Sequence, residues 1–208
     1  MKRTIRRILA LSLVLCLFLA ASALGEAARF GPQDLNVNAA YAGASETDVR
    51  QAFGEPVSAE TSTQAATGDT LTTWRYDGLT LRFTEGRLTG ADWTSPAPNG
   101  PRGLKVGDSL DTVTGAFYRD AAASEDVLYT AGWVDALQAQ LPPYGIVIRH
   151  ADGSVTVQYL APVEPYAADV AASPAEYVYQ SHAILTFSVS SDTSTVVEIN
   201  WSLGALAE

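Results

Sequence analysis

Apolar and polar residues alternate in two neighbouring stretches of the chain, TTWRY at 72–76 and LTLRF at 79–83. A period of two is typical of a β-strand with one buried face, and Asp77-Gly78 between the stretches is a strong signal for a two-residue hairpin turn. A second turn at Glu85-Gly86 leads into a third strand that ends at Trp93. The pattern therefore predicts a three-stranded antiparallel meander.

The two-residue turn also predicts the register of this meander, because it places Tyr76 opposite Leu79 and Trp74 opposite Leu81. The predicted buried face carries Trp74, Tyr76, Leu79, Leu81 and Phe83, and the predicted solvent face carries Thr73, Arg75, Thr80 and Arg82. On the third strand Leu88 and Trp93 are out of alternating phase, which predicts a bulge near Gly90.

Two segments share the pattern G-x-S-x-x-x-V-x-x-A-F: GASETDVRQAF at 43–53 and GDSLDTVTGAF at 107–117. In each segment a serine stands where a helix N-cap is expected, and Asp48 completes a capping-box pattern with Ser45. Apolar residues at helical spacing follow both serines. We expect two short helices, the first capped by Ser45 and the second by Asp108 or Ser109, and two copies of one structural unit.

Strand-like alternation returns in the second half of the chain, at 145–150, 154–160, 182–190 and 195–203. Other stretches lack this pattern. The Ser/Thr/Ala/Gly stretch 58–69 and the proline-containing stretch 161–176 are predicted to be loops, and 133–141 a short helix that ends before Pro142-Pro143.

These elements predict an α+β protein of two tandem units, in each of which helical segments pack on one face of an antiparallel β-sheet. The first unit covers 35–95 and the second 103–203, with an insertion in the second. Residues 96–102, which are rich in proline and glycine, are predicted to be a hinge.

The order of these motifs resembles a known exported fold. A helical G-x-S-x-x-x-V-x-x-A-F-G-x-P segment followed by W-x-Y-x-G-L-x-L-x-F-x-x-G-x-L is similar to the fold shared by the β-lactamase inhibitor protein and the small outer-membrane lipoprotein SmpA/OmlA family. The resemblance covers most of residues 35–203 and is sharpest in the first copy. It implies two tandem units whose sheets form an open polar face that grips a partner protein. No inhibitory residue is matched to a position in this chain.

The first 23 residues have the layout of a secretory signal peptide. Four basic residues between Lys2 and Arg7 precede an apolar run from Ile8 to Ala20, and the small residues Ala21-Ser22-Ala23 follow. The run is shorter than the roughly 20 residues of a membrane-spanning helix. We therefore expect export to the cell envelope or extracellular space, no integral membrane span after cleavage, and no disulfide, since Cys16 would be removed.

The charge of the chain argues against nucleic acid as a partner. After residue 23 the chain keeps all 23 acidic residues but nine of the 13 basic ones, so its formal charge falls from −10 to −14. Nucleic-acid binding depends on clustered lysine and arginine that neutralise phosphates.

The letters GDSL at 107–110 also open a family of serine esterases, so Ser109 is a candidate nucleophile. Such an esterase presents its histidine in an Asp-x-x-His motif, but His150 and His182 follow Val147 and Tyr179 at that spacing. The equivalent letters of the first copy are GASE, and a cap needs a hydroxyl but no base. We therefore predict that Ser109 caps a helix.

Two histidines and one cysteine give little support for zinc, and we expect no metal and no cofactor.

What remains is the surface, on which arginine and aromatic residues are the strongest candidates for contact with a protein. The candidate partner-binding residues are Arg75, Arg82, Trp133, Tyr144, Tyr177 and Tyr179. The sequence favours an exported, non-enzymatic interaction module with an unknown protein partner. A secreted inhibitor of a hydrolase and a serine hydrolase using Ser109 are the alternatives, and the oligomeric state is left open.

Overall fold

A computed structural model describes residues 27–38, 40–129, 144–162 and 182–203 of the chain. This part of the protein is mostly β: nine strands form one antiparallel sheet, two more form a small hairpin, and two helices are short. The elements are β1 (Asn36–Val37), β2 (Ala40–Tyr41), α1 (Glu46–Phe53), β3 (Ser58–Thr63), β4 (Thr70–Tyr76), β5 (Leu79–Thr84), β6 (Arg87–Trp93), α2 (Leu110–Gly115), β7 (Val127–Tyr129), β8 (Gly145–Arg149), β9 (Val155–Pro162), β10 (His182–Val189) and β11 (Val196–Leu203), with 3₁₀ turns at Pro32–Asp34 and Pro101–Gly103.

The order of strands in the large sheet is β3-β4-β5-β6-β11-β10-β9-β8-β7. Strands β3–β6, which come first in the chain among the nine, therefore form one side of the sheet, and β7–β11 form the other. The two sides meet where β6 pairs antiparallel with β11, with Asp92 opposite Asn200 and Ala91 opposite Trp201. Because this pairing is continuous with the ladders on either side, the strands from both halves of the chain share one sheet.

The predicted register of the first meander is confirmed. Tyr76 pairs with Leu79 and Trp74 with Leu81 across the 77–78 turn. The predicted bulge is also present: Arg82 pairs with Gly90 but Phe83 pairs with Leu88, so Thr89 is the extra residue in β6. In the second half, β8 to β11 lie within one or two residues of their predicted bounds. The predicted helix at 133–141 lies outside the described residues, as does most of the predicted loop at 161–176.

The prediction of a loop over 58–69 is wrong for its first half, where Ser58–Thr63 forms β3 at the edge of the sheet. All six side chains of this strand are exposed, so its sequence shows no alternation of apolar and polar residues. The strand is held instead by its backbone register with β4, from Ser58 opposite Arg75 to Thr63 opposite Thr70. Threonine also favours extended backbone.

The core lies on one face of the large sheet. Trp74, Trp93 and Trp201 are buried there. Helices α1 and α2 contribute Val49 and Val113, both fully buried. Phe30, Leu35, Val37, Leu104 and Phe117 join the same cluster from the segments outside the large sheet. On the opposite face, side chains such as Thr73, Thr80, Thr186 and Asn200 stay partly accessible.

Arg102, in the segment for which the sequence predicts a hinge, binds the chain at several distant points. Its Nε and Nη2 atoms donate to the two carboxylate oxygens of Asp34, each at 2.8 Å. The other N–H groups donate to the backbone carbonyls of Ala28, Arg29 and Ala116 at 2.7 to 2.9 Å. All five N–H donors of the guanidinium are thus used. Arg102 itself has a φ of +56°, a conformation that a non-glycine residue keeps when its contacts outweigh the strain.

We predict that Arg102→Ala lowers the free energy of unfolding by about 3–5 kcal/mol, because it leaves the nearly buried carboxylate of Asp34 without its counter-charge. Arg102→Lys should recover little, since an ammonium cannot form the bidentate pair. Urea unfolding measures both. The matched control is Arg149→Ala, whose ion pair with Asp126 is exposed and should contribute less than about 1 kcal/mol. Equal losses for the two alanine variants would contradict a special role for Arg102.

Candidate functional site: the open face of the sheet

On the face of the sheet away from the core, cross-strand neighbours form one continuous row over eight strands. From β3 to β8 the row consists of Ser58, Arg75, Thr80, Asp92, Asn200, Thr186, Gln158 and Ile146. Every side chain in the row is exposed or half-buried. We call these eight residues, together with Arg82 beside Thr80, the open face.

Arg82, Asp92 and Asn200 form the centre of the open face. The guanidinium of Arg82 and the side-chain amide of Asn200 donate to different carboxylate oxygens of Asp92. Arg82 also reaches the backbone carbonyl of Trp201 at 3.4 Å. This cluster ties β5, β6 and β11 together and balances the charge of Asp92 without removing it from solvent, since the Arg82 and Asp92 side chains are 32% and 16% exposed.

A glycine makes room for this cluster. Arg82 lies over Gly90, its cross-strand partner in β6. A Cβ atom at position 90 would come within 2.8 Å of two guanidinium nitrogens of Arg82. A side chain there would displace Arg82, so the close approach needs glycine.

The two sides of the open face differ in chemistry. The β3–β6 side has ion pairs, Arg82 with Asp92 and, at 3.5 Å, Arg75 with Glu60. The β8–β10 side has the uncharged residues Thr186, Gln158 and Ile146, and Ile148, two positions along β8 from Ile146, is 38% exposed. A protein that covered the whole face would therefore meet charged groups at one end and neutral or apolar groups at the other.

The structure separates the residues that the sequence singled out for partner binding. Arg75 and Arg82 lie on the open face, as the alternation predicts. Tyr144 is 4% exposed, and its hydroxyl lies 2.6 Å from Nε2 of His182, so a partner could not contact it without a rearrangement. Trp133, Tyr177 and Tyr179 lie outside the described residues.

Sequence analysis did not single out Asp92 and Asn200, although they form the centre of the face. A signal was present: each precedes a tryptophan, in GADW at 90–93 and EINW at 198–201. The pairing of Asp92 with Asn200 cannot be inferred from either stretch alone, because the two residues are 108 positions apart in the chain.

The prediction that Ser45 and Ser109 cap helices is confirmed. The Ser45 hydroxyl accepts a hydrogen bond from the amide of Asp48 at 3.2 Å, and the Ser109 hydroxyl accepts one from the amide of Thr112 at 3.2 Å. Ser109 also lies 2.9 Å from the hydroxyl of Thr112. The candidate nucleophile of the GDSL stretch is thus bound to the first turn of α2.

The backbone before each capping serine is bound in the same way. The amide of Gly43 donates to the carbonyl of Leu88 in β6, and the amide of Gly107 donates to that of Val196 in β11, both at 2.8 Å. The two glycines have φ values of +82° and +100°, in the left-handed region that favours glycine. Similar local constraints therefore place both serines against the sheet.

Strand β11 also repeats the irregularity of β6. Ser188 pairs with Glu198 but Val189 pairs with Val196, so Val197 is an extra residue, as Thr89 is in β6. Both bulges lie just before the part of the strand that crosses the centre of the sheet.

Within the described residues, no three histidine, cysteine, aspartate or glutamate side chains are grouped as ligands for a metal ion. No helix in the same part of the chain has the length and apolar character needed to cross a membrane.

Comparison with known proteins gives weak structural similarity. No family model and no curated protein matches the chain. An extracellular protein with an SCP domain from Bacillus anthracis is 10% identical, with a TM-score of 0.37. The match covers 77% of this chain and 43% of the Bacillus anthracis protein, so this chain spans less than half the length of that protein. The uncharacterised YfeY of Escherichia coli is 12% identical, with a TM-score of 0.35 over 85% of this chain and 99% of that one. A candidate β-lactamase inhibitor protein of Streptococcus mutans is 15% identical, with a TM-score of 0.24. The match covers 89% of this chain and 96% of that protein. These similarities do not establish a shared function.

We predict that Ser109→Ala lowers the free energy of unfolding by about 1 kcal/mol, because an amide of α2 loses its acceptor. Ser45→Ala should have an effect of similar size. Thermal or urea unfolding measures both, and Ser62→Ala, at an exposed position of β3, is the control with little expected change. Unchanged stability in Ser109→Ala together with loss of an ester hydrolysis would contradict the role of a cap.

The capping box of α1 also predicts a pH dependence. Hydrogen bonds from the hydroxyl and then the amide of Ser45 hold the pKa of Asp48 below its ordinary value of 3.8. The box therefore stabilises the fold above pH 3.8, and this contribution is lost as the pH falls through the lowered pKa. In Ser45→Ala the pKa of Asp48 should rise, as followed by NMR titration, while that of Asp152, lowered by Ser154, should not change. An unshifted Asp48 in the variant would contradict this.

Proposed function

We propose that this chain is an exported, non-enzymatic protein-interaction module of the cell envelope or extracellular space, and that its partner docks on the open face. The observation that carries the proposal is the continuous accessible row across eight strands, with Arg82, Asp92 and Asn200 at its centre. Export is supported by the signal-peptide pattern of the first 23 residues.

The open face has the size of a protein interface. Eight strands about 4.8 Å apart span roughly 34 Å. A stable protein complex buries about 800 Å² on each partner, which corresponds to a patch about 28 Å on a side. The face is therefore wide enough to supply one side of such a complex.

The chemistry of the face also favours a protein partner over a small molecule. Hydroxyl and amide side chains offer hydrogen bonds across a broad surface, and arginine is enriched at protein interfaces. Ligand sites for small molecules are instead concave and mostly apolar. The open face is broad and mostly polar, so another protein suits it better.

The absence of catalysis is supported by the position of Ser109. Its hydroxyl is bound to Thr112 at the start of α2, and the Nε2 atom of the His150 ring lies 2.8 Å from the hydroxyl of Thr156. A serine nucleophile needs a base within hydrogen-bond reach. The cap at Ser45 has the same geometry on an equivalent turn, which supports a structural purpose for both serines.

We also infer that the fold consists of two copies of one helix-plus-sheet unit, joined by β6 and β11. Three features support this: the two serine caps, the two glycine-to-strand hydrogen bonds and the two bulges. In such an arrangement Asp92 and Asn200 occupy equivalent positions on either side of an approximate two-fold axis. The centre of the open face is then the junction of the two copies.

The experiment compares capture by three forms of the tagged, exported protein: wild type, Thr186→Arg and Thr47→Arg. Thr186 lies on the open face, whereas Thr47 is exposed on α1, and both variants make the same chemical change. We expect a protein from the envelope or medium to be retained by wild type and Thr47→Arg and to be lost with Thr186→Arg. Circular dichroism checks that all three are folded.

Retention of the same protein by Thr186→Arg would exclude the open face as the docking surface. Capture of nucleotides or metabolites alone would contradict the proposed class of function. The captured protein itself distinguishes a structural partner from a hydrolase whose turnover the module lowers.

A further inference from the structure

Strand β3 ends the large sheet on one side, and its outer edge is not paired with another described strand. All six of its side chains are exposed, so they add little to the core. The interactions still available to β3 are those of its backbone and of the side chains that flank it.

The register identifies which backbone groups of β3 point away from the sheet. The two-residue turn at 77–78 makes Tyr76 and Leu79 a hydrogen-bonded pair, so Thr72 and Trp74 also turn their backbone groups toward β5. Their β3 partners, Thr61 and Ala59, are then in non-hydrogen-bonded pairs.

The other end of the β3–β4 ladder agrees with this assignment. The amide of Gln64 donates to the carbonyl of Asp69 at 2.9 Å, which continues the ladder with a hydrogen-bonded pair. Hydrogen-bonded and non-hydrogen-bonded pairs alternate in an antiparallel ladder. The amides and carbonyls of Ala59, Thr61 and Thr63 therefore point outward.

This edge lacks the features that usually protect a sheet from pairing with another chain. Proteins blunt exposed edges with lysine, proline or bulges. The sequence of β3 is SAETST, with neither lysine nor proline, and its register with β4 is unbroken. Its one charged residue, Glu60, already lies 3.5 Å from Arg75.

We propose that β3 pairs antiparallel with β3 of a second copy of this chain, around a two-fold axis through Thr61. In this register Thr61 faces Thr61 of the second copy and Ala59 faces its Thr63, so the three outward residues of each copy form hydrogen-bonded pairs. Six backbone hydrogen bonds result.

The charges and the apolar surface near β3 suit a second copy. Glu60 falls opposite Ser62 of the other chain and not opposite itself, which avoids the destabilising pairing of like charges. Val57, which is 83% exposed just before β3, would lie against the 64–69 turn of the second copy. The pairing therefore covers an exposed apolar side chain at each end of the interface.

The net charge gives the pairing a recognisable salt dependence. After the expected cleavage each chain has a formal charge of −14, so two copies repel each other, and salt screens this repulsion. Dimerisation should strengthen when salt is raised from about 20 to 200 mM. Docking of a basic peptide on the same edge should instead weaken.

The experiment measures the monomer–dimer equilibrium by sedimentation for wild type, Thr61→Pro and Thr61→Val. Proline removes an outward amide that the ladder with β4 does not use, so an edge position of this kind tolerates it. Both central hydrogen bonds of the dimer are lost, and dimerisation should weaken about tenfold or more. Thr61→Val keeps the amide and should dimerise like wild type.

A wild-type chain that stays monomeric at all concentrations would overturn the proposal, as would a dimer that Thr61→Pro leaves unchanged. Should Thr61→Pro fail to fold, hydrogen exchange in the wild type decides: the amides of Ala59, Thr61 and Thr63 must become more protected as concentration rises. Unchanged exchange at these three amides would reject the interface. Because Thr186 is not in β3, its partner-capture result and the dimerisation result can fail independently.

Discussion

The pairing of β6 with β11 is the contact on which the rest of the structure depends. This short ladder places Trp93 and Trp201 in the core on one face and Asp92 beside Asn200 on the other. Both indole N–H groups are buried without a hydrogen-bond partner among the described residues, at a cost of about 1–3 kcal/mol each. Burying an aromatic side chain of about 200 Å² at about 25 cal/mol per Å² contributes about 5 kcal/mol. Apolar burial therefore outweighs the unpaired donors, and core and open face are fixed by the same ladder.

A second constraint acts on the segments of the chain that lie outside the large sheet. The chain has one cysteine, so it cannot form an internal disulfide. Arg102 instead joins the segment at 28–34 to the end of α2 through Asp34 and three carbonyls. A guanidinium suits this position because its rigid fork satisfies several acceptors at once and pairs with the nearly buried carboxylate of Asp34. The network thus joins the 28–34 segment, the turn at Pro101–Gly103 and the end of α2 to one another.

Sequence patterns predicted the structural features that depend on residues close together in the chain. The 77–78 turn, the serine caps and the bulge near Gly90 each depend on a few adjacent residues, and all are present. Strand β3 was missed because its side chains are all exposed and leave no alternation. The joining of β6 to β11 could not be read from the sequence, since pairing between residues 108 positions apart leaves no local signal. The proline and glycine content that predicts a hinge at 96–102 also carries no signal for the contacts of Arg102 with distant segments.

The open face and the edge of β3 use different groups of the same sheet. A partner on the face would contact side chains that stand perpendicular to the strands, whereas strand pairing uses amides and carbonyls in the plane of the sheet. Occupying one surface therefore does not block the other. A pair of chains joined through β3 would continue the sheet and bring two open faces side by side, with Arg75 and Glu60 near the junction. Two faces held together would bind a repetitive partner as one bivalent surface, so weak docking at each face would become strong through effective concentration.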